Sequence, residues 1–254
     1  MKYLSALFLI LFLSSCQTNN KKLTATDIIN KSITVAGGDK FDTSAYSFQF
    51  RDKMYRADRN KGLFSISREF LKDSVGFIED YVTNNGFERF IDKKMVSVAD
   101  TTANKLSASV NSVHYFSVLP YGLNSEAVKK ELLGIVSIKD VPYHKIKVTF
   151  NEEGGGEDFE DEFIYWINIE TFKVDYLAYS YKEVDGSLGL RFREAYNERY
   201  VGDLRFVDYN NYKSETEGVS VEDLDDLFQK DLLKLLSKIK LENITMGSSL
   251  EENQ

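Results

Sequence analysis

From Tyr46 to Asn210 the chain is written mostly in period two, and the joints between its alternating runs hold few residues. That constrains the fold more than any other feature. A parallel strand pair needs a crossover of a dozen or more residues, whereas an antiparallel pair closes through a tight turn. Tyr46, Phe48, Phe50 and Met54 fall on one face, and Ser47, Gln49, Arg51 and Lys53 on the other. Similar alternation recurs over 62–71 and 74–82, and Asn84-Asn85-Gly86 marks a hairpin into 87–97. Strands are expected again over about 129–139, 142–150, 160–169, 172–182, 188–197 and 200–210. Gly154-Gly155-Gly156, Glu170-Thr171 and Asp185-Gly186 supply turn chemistry between them. The pattern predicts an α+β, mostly antiparallel fold of about 10–11 strands.

Two or three helices interrupt or flank these strands. Thr24 with Asp27 three residues on reads as a capping box, Leu23 can staple Ile28, and Gly37-Gly38 stops the helix. A second stretch, about 100–118, has Leu106, Val110, Val113 and Ser117 at helical spacing and ends before Pro120-Tyr121-Gly122. The third is predicted over 220–240. Ser220 and Asp223 form a box there, and Val221, Leu224, Phe228, Leu232, Leu235 and Ile239 follow at steps of three and four. Residues 247–254 read as a disordered tail.

The N-terminus bears on location. Lys2, an apolar run from Leu4 to Leu13, then Leu13-Ser14-Ser15 before the chain's one cysteine, Cys16, have the form of a lipoprotein signal over residues 1–15. Ten helical residues span about 15 Å, half of the ~30 Å a membrane crossing needs. Cys16 is the expected acylation site, residues 16–22 an acylated tether, and 23–246 a single domain. Removing the signal takes away Lys2 and no acid, leaving 31 basic side chains against 40 acidic ones. Nucleic acid is therefore not an expected partner. The membrane, reached through Cys16, is one.

Four runs carry a resemblance: Asn111-Ser112-Val113-His114-Tyr115-Phe116, Tyr165-Trp166-Ile167-Asn168, Asp175-Tyr176-Leu177-Ala178-Tyr179 and Arg191-Phe192-Arg193-Glu194-Ala195-Tyr196-Asn197. They resemble an uncharacterised family of Gram-negative outer-membrane lipoproteins, and the element order resembles the periplasmic lipoprotein carrier and receptor (LolA/LolB-like) superfamily. The resemblance implies a strongly curved, incomplete β-barrel capped by helices around an apolar cavity. It also implies an outer-membrane lipoprotein facing the periplasm.

Eighteen Phe, fifteen Tyr and one Trp give the strands ample apolar surface. Phe48, Phe64, Phe77, Trp166, Phe192 and Phe206, with Leu224 and Phe228 of the last helix, are the candidate lining of a hydrophobic-ligand site. An ordinary filled core is the competing reading for each. Arg68, Glu79, His144 and Glu194 lie in phase with apolar neighbours and are the candidate polar groups of that cavity, because a buried charge needs a partner, a rim or a wet site.

His114 and His144 lack HxH or HxxxH spacing, and the acidic run 152–161 lacks calcium-loop spacing, so neither metal nor cofactor is expected. G-x-S-x-G, P-loop, G-x-G-x-x-G and HExxH signatures are absent. An aldolase label attached to similar chains would need a Schiff-base lysine in a parallel barrel, which this strand order does not offer. The expected function is binding of a lipid or acyl chain. The alternatives are a structural or assembly lipoprotein with an envelope protein partner, or a small-molecule enzyme.

Overall fold

The computed structural model describes residues 22–154, 159–183 and 185–247. The signal, Cys16, residues 17–21 of the tether and the centre of the acidic run lie outside them, as do residues 248–254. Helix α1, Ala25–Ala36, begins as its sequence directs. Asp27 N–H donates to Thr24 Oγ1 at 3.1 Å, and Thr24 N–H donates back to the Asp27 carboxylate at 2.9 Å. It ends at Gly37, whose φ of 138° no side chain tolerates well.

After a 3-10 turn over Gly38–Thr43, six strands follow: β1 Ala45–Phe50, β2 Lys53–Asn60, β3 Leu63–Lys72, β4 Gly76–Thr83, β5 Gly86–Ile91 and β6 Lys94–Val96. Helix α2, Asp100–Ser117, leads to six more. These are β7 Val128–Ile138, β8 Val141–Phe150, β9 Phe163–Asn168, β10 Val174–Lys182, β11 Leu188–Val201 and β12 Leu204–Ser214. A 3-10 turn at Val221–Asp223 runs into α3, Leu224–Gln229, and β13 Leu233–Ile239 and β14 Glu242–Gly247 close the described chain.

All pairings are antiparallel, as the short joints require. They make two seven-stranded sheets, ordered β14-β1-β2-β3-β4-β5-β6 and β13-β12-β11-β10-β9-β8-β7. Lys240 and Leu241 carry the chain from the edge of one sheet to the edge of the other. Helix α2 connects β6 to β7, the two opposite free edges, so the strands form a curved, unclosed barrel whose mouth is bridged by α2.

Three expectations are corrected. Fourteen strands are described where about 10–11 were expected. Arg51, at φ 57°, turns the run from Tyr46 into a hairpin, and Asp92 and Lys93, at φ 47° and 64°, do the same to 87–97. Met54 therefore belongs to β2 and not to the strand of Phe48.

The helix expected over 220–240 ends at Gln229. Asp231 at φ 56° breaks it, and Leu233–Ile239 instead pair with β12, which would otherwise present an open edge. Gly247, expected at the start of the tail, pairs with Ala45 in β1.

Hydrophobic burial gathers in three places. Tyr46, Phe48, Tyr55 and Ile66 of the first sheet meet Val110 of α2 and Leu204 and Phe206 of β12. One face of the second sheet, with Ile146, Tyr165, Ile167 and Leu177, packs under α1. Its other face, with Ile164, Trp166, Tyr176 and Phe192, packs under α3. The second sheet is therefore covered on both sides, and β9 reads as an unbroken apolar run, Phe163–Ile167.

Candidate functional site

The two covered faces of the second sheet differ in how completely they are filled. Under α3 the Phe228 ring stacks on Phe192 at 4.7 Å between centroids, and Trp166 lies 5.4 Å from Phe192. Trp166 Nε1–H donates to Asp225 at 3.1 Å, and Lys145 reaches the same carboxylate at 3.0 Å. Asp225 is thus a buried acceptor with both its donors in place, which is the condition for burying it cheaply. Glu194 closes the rim, accepting from Lys139 at 3.0 Å, from Asn210 at 3.1 Å and from Tyr212 at 3.1 Å. Burial pushes its carboxyl up, but the hydrogen bonds from Lys139 and Asn210, with the Lys139 charge, outweigh that and hold it below the usual range.

Across the sheet a cavity of about 1210 Å³ opens between α2 and the face that carries Phe163, Tyr179 and Arg193. Helix α2 contributes Ala108, Asn111, Tyr115 and Phe116, and β12 contributes Val207 and Tyr209. Phe50, Phe64 and Val82 reach it from the first sheet. Phe116, Phe163 and Tyr179 form an aromatic wall, with centroids 5.1–6.1 Å apart. Tyr115 and Tyr165 share a hydroxyl hydrogen bond of 3.1 Å, and burial pushes the Tyr115 phenol up to about 12.

The expected lining residues divide among these regions. Trp166, Phe192, Leu224 and Phe228 meet one another in the filled space under α3. Phe48 and Phe206 join the core between the sheets, and Phe64 lines the cavity. Phe77 lies on the opposite face of β4 from the buried Ile78 and Asp80, and is 40% exposed.

The expected polar groups also separate. Arg68 is buried, donates to Asp80 at 2.6 Å and to Ser109 of α2 at 2.9 Å, and shares Asp80 with Arg89. Glu79 accepts from Tyr81 on the outward face of β4. His144 stacks on Phe172 at 6.3 Å, and burial lowers its pKa. None of the four lines the cavity.

The buried charged group in the cavity wall is Arg193, which period-two reasoning passes over. It alternates with Phe192 and Glu194, and in a sheet with one wet face that phase reads as solvated. Here the second face is buried too.

No described helix is long and apolar enough to cross a membrane. Residues 2–243 match a family described as a family of unknown function, DUF6503. No curated protein matches the chain. Among solved structures the chain is similar to a LolA superfamily protein from Nitrosomonas europaea, at 12% identity and a TM-score of 0.49, covering 89% of this chain and 94% of that one. It is also similar to a DUF1329 family protein from Desulfovibrio piger, at 10% identity and a TM-score of 0.40, covering 90% of this chain and 95% of that one.

Proposed function

We propose, for a chain that belongs to the DUF6503 family, that it binds the acyl chain of a lipid or similar amphiphile in the cavity between α2 and the second sheet. The observation that carries this reading is the contrast across one sheet. One face is filled by α3, while the other leaves about 1210 Å³ behind an aromatic wall. That volume exceeds the roughly 300–1,000 Å³ of most small-ligand sites and suits an extended apolar ligand.

In the same reading Cys16 is acylated and holds the protein at the outer membrane, facing the periplasm, with the sequence motif Leu13-Ser14-Ser15-Cys16 as its support. Two or more acyl chains on one cysteine make such an anchor durable.

Native mass spectrometry of the full chain, extracted from the membranes of a Gram-negative host that exports it, tests both parts. The expected spectrum shows cleavage before an acylated Cys16 and a 1:1 adduct of lipid mass. Polypeptide with no lipid adduct, and no uptake of added lipid after delipidation, would overturn the binding reading. An unmodified Cys16 would overturn the anchoring.

A further inference from the structure

Arg193 is 7% exposed and lines the cavity. Its guanidinium lies 3.8 Å from the ring centroid of Phe116, 5.1 Å from that of Tyr179 and 5.8 Å from that of Tyr209. Nη2 donates to the Tyr179 hydroxyl at 2.9 Å. Nε is buried and has no partner. Among the described residues no carboxylate lies within 4 Å of this guanidinium, although the chain's other strongly buried arginines, Arg68 and Arg205, each have one.

Cation–π contacts and one neutral hydrogen bond lower the penalty of burying this ion but supply no opposite charge. The aromatic cage therefore tolerates the charge without neutralising it. Such a buried cation is suited to pair with an oxyanion.

Resting on the reading that the cavity holds an amphiphile, we infer that Arg193 is its head-group site: the guanidinium and the Tyr179 hydroxyl bind the carboxylate or phosphate of an anionic single-chain amphiphile. Arginine presents a planar fork that such oxyanions meet with two parallel hydrogen bonds, and Nη1, which unlike Nε is not enclosed by the surrounding side chains, makes no hydrogen bond among the described residues. The Tyr179 hydroxyl accepts from Arg193 and keeps its own proton to donate. The tail then lies along Phe116 and Phe163. The other charged groups of the cavity, Glu160, Asp161 and Lys182, stand at the exposed or half-exposed ends of β9 and β10. They make a mixed rim, and the buried wall is positive.

A chain-matched series tests this on the delipidated full chain held in an amphipathic polymer, with polymer alone as the blank. The probes are dodecanoate, dodecyl phosphate, dodecanol, acetate and inorganic phosphate, titrated calorimetrically. The wild-type chain is expected to bind both dodecyl anions at least tenfold more tightly than dodecanol, and neither acetate nor phosphate measurably. Arg193→Gln is expected to weaken both anions at least tenfold and dodecanol by much less, so that the preference for the anions is lost. Tyr179→Phe should weaken the anions alone, about threefold.

Equal affinity for dodecanoate and dodecanol in the wild-type chain would overturn the head-group site and leave the cavity reading standing. Saturable binding of no dodecyl probe would overturn the cavity reading itself. Acetate or phosphate binding as tightly as its dodecyl counterpart would identify a plain anion site and overturn the inference. Should Arg193→Gln fail to fold, the wild-type comparison and Tyr179→Phe still decide.

Discussion

Phe192 and Arg193 are consecutive residues of β11 and point to opposite faces of the same sheet. Phe192 enters a space that Trp166, Tyr176 and Phe228 fill to ordinary ring-contact distances. Arg193 is caged by Phe116, Tyr179 and Tyr209 in the wall of a space that the described chain leaves open. The difference follows from what covers each face. The 3-10 turn and α3 lie against Ile164, Trp166 and Phe192 with side chains of matching size, and Asp225 ties the helix to Trp166 and Lys145.

Helix α2 meets the opposite face less closely. Of its buried side chains, Val110 and His114 turn toward Phe48, Tyr55 and Ile66 of the first sheet. A helix anchored to one sheet and standing off the other leaves room between. In physical terms, a binding site here is a packing interface left unfinished on one side.

The contrast predicts the largest loss for Phe192→Ala. Removing a fully buried ring under α3 should cost about 3–5 kcal/mol of unfolding free energy in a urea titration and leave acyl-chain affinity unchanged in the molecules still folded. A loss under 1 kcal/mol would mean that the α3 side is the looser one.

A smaller effect tests the anchoring of α2. His114 Nε2–H donates to the Ser67 carbonyl at 3.0 Å, and burial lowers its pKa from 6.5 to about 3. The unfolded chain therefore takes up a proton here that the folded chain refuses. Stability is complete above pH 6.5 and falls as pH drops, by about 1.4 kcal/mol per unit for one such group. Between pH 7 and 5 that amounts to about 2 kcal/mol. In His114→Gln, which keeps a donor and does not titrate, the fall between pH 7 and 5 should shrink by that amount. His144, also lowered by burial, is present in both proteins and cancels. An unchanged pH dependence would show that His114 is not held neutral against the first sheet.

The smallest effect on stability should come from Ala108→Phe, on the cavity side of α2. Bulk placed in empty space leaves the unfolding free energy within about 0.5 kcal/mol but should abolish acyl-chain binding. A large loss of stability would mean that the space is already filled.

Local signals carried much of this architecture. The Thr24 box, the Gly37 stop and the Asn84-Asn85-Gly86 hairpin are each decided within a few residues, and the antiparallel order follows from joint length. The segment after Gln229 is decided elsewhere. Leu232, Leu235 and Ile239 satisfy helical spacing, but Asp231 and the open edge of β12 make it a strand, and no local pattern contains that edge.

The cavity was legible only in part. Phase separates the two faces of β11 but does not say which face is wet when both are buried. Trp166 and Phe192 thus read as lining, while nothing in the pattern marks Arg193. Phe64 and Phe77 show the same ambiguity: only the packing of α2 on β3 and β4 distinguishes them.

The face of the second sheet bearing Arg193 should hold an acyl chain, and the face bearing Phe192 none. Crystals of the full chain grown with 12-bromododecanoate would place the bromine by its anomalous scattering. One peak is expected, in the space bounded by Phe116, Phe163 and Val207. A peak beneath α3 beside Trp166 and Phe228, or no peak at an occupancy that solution binding demands, would contradict that expectation.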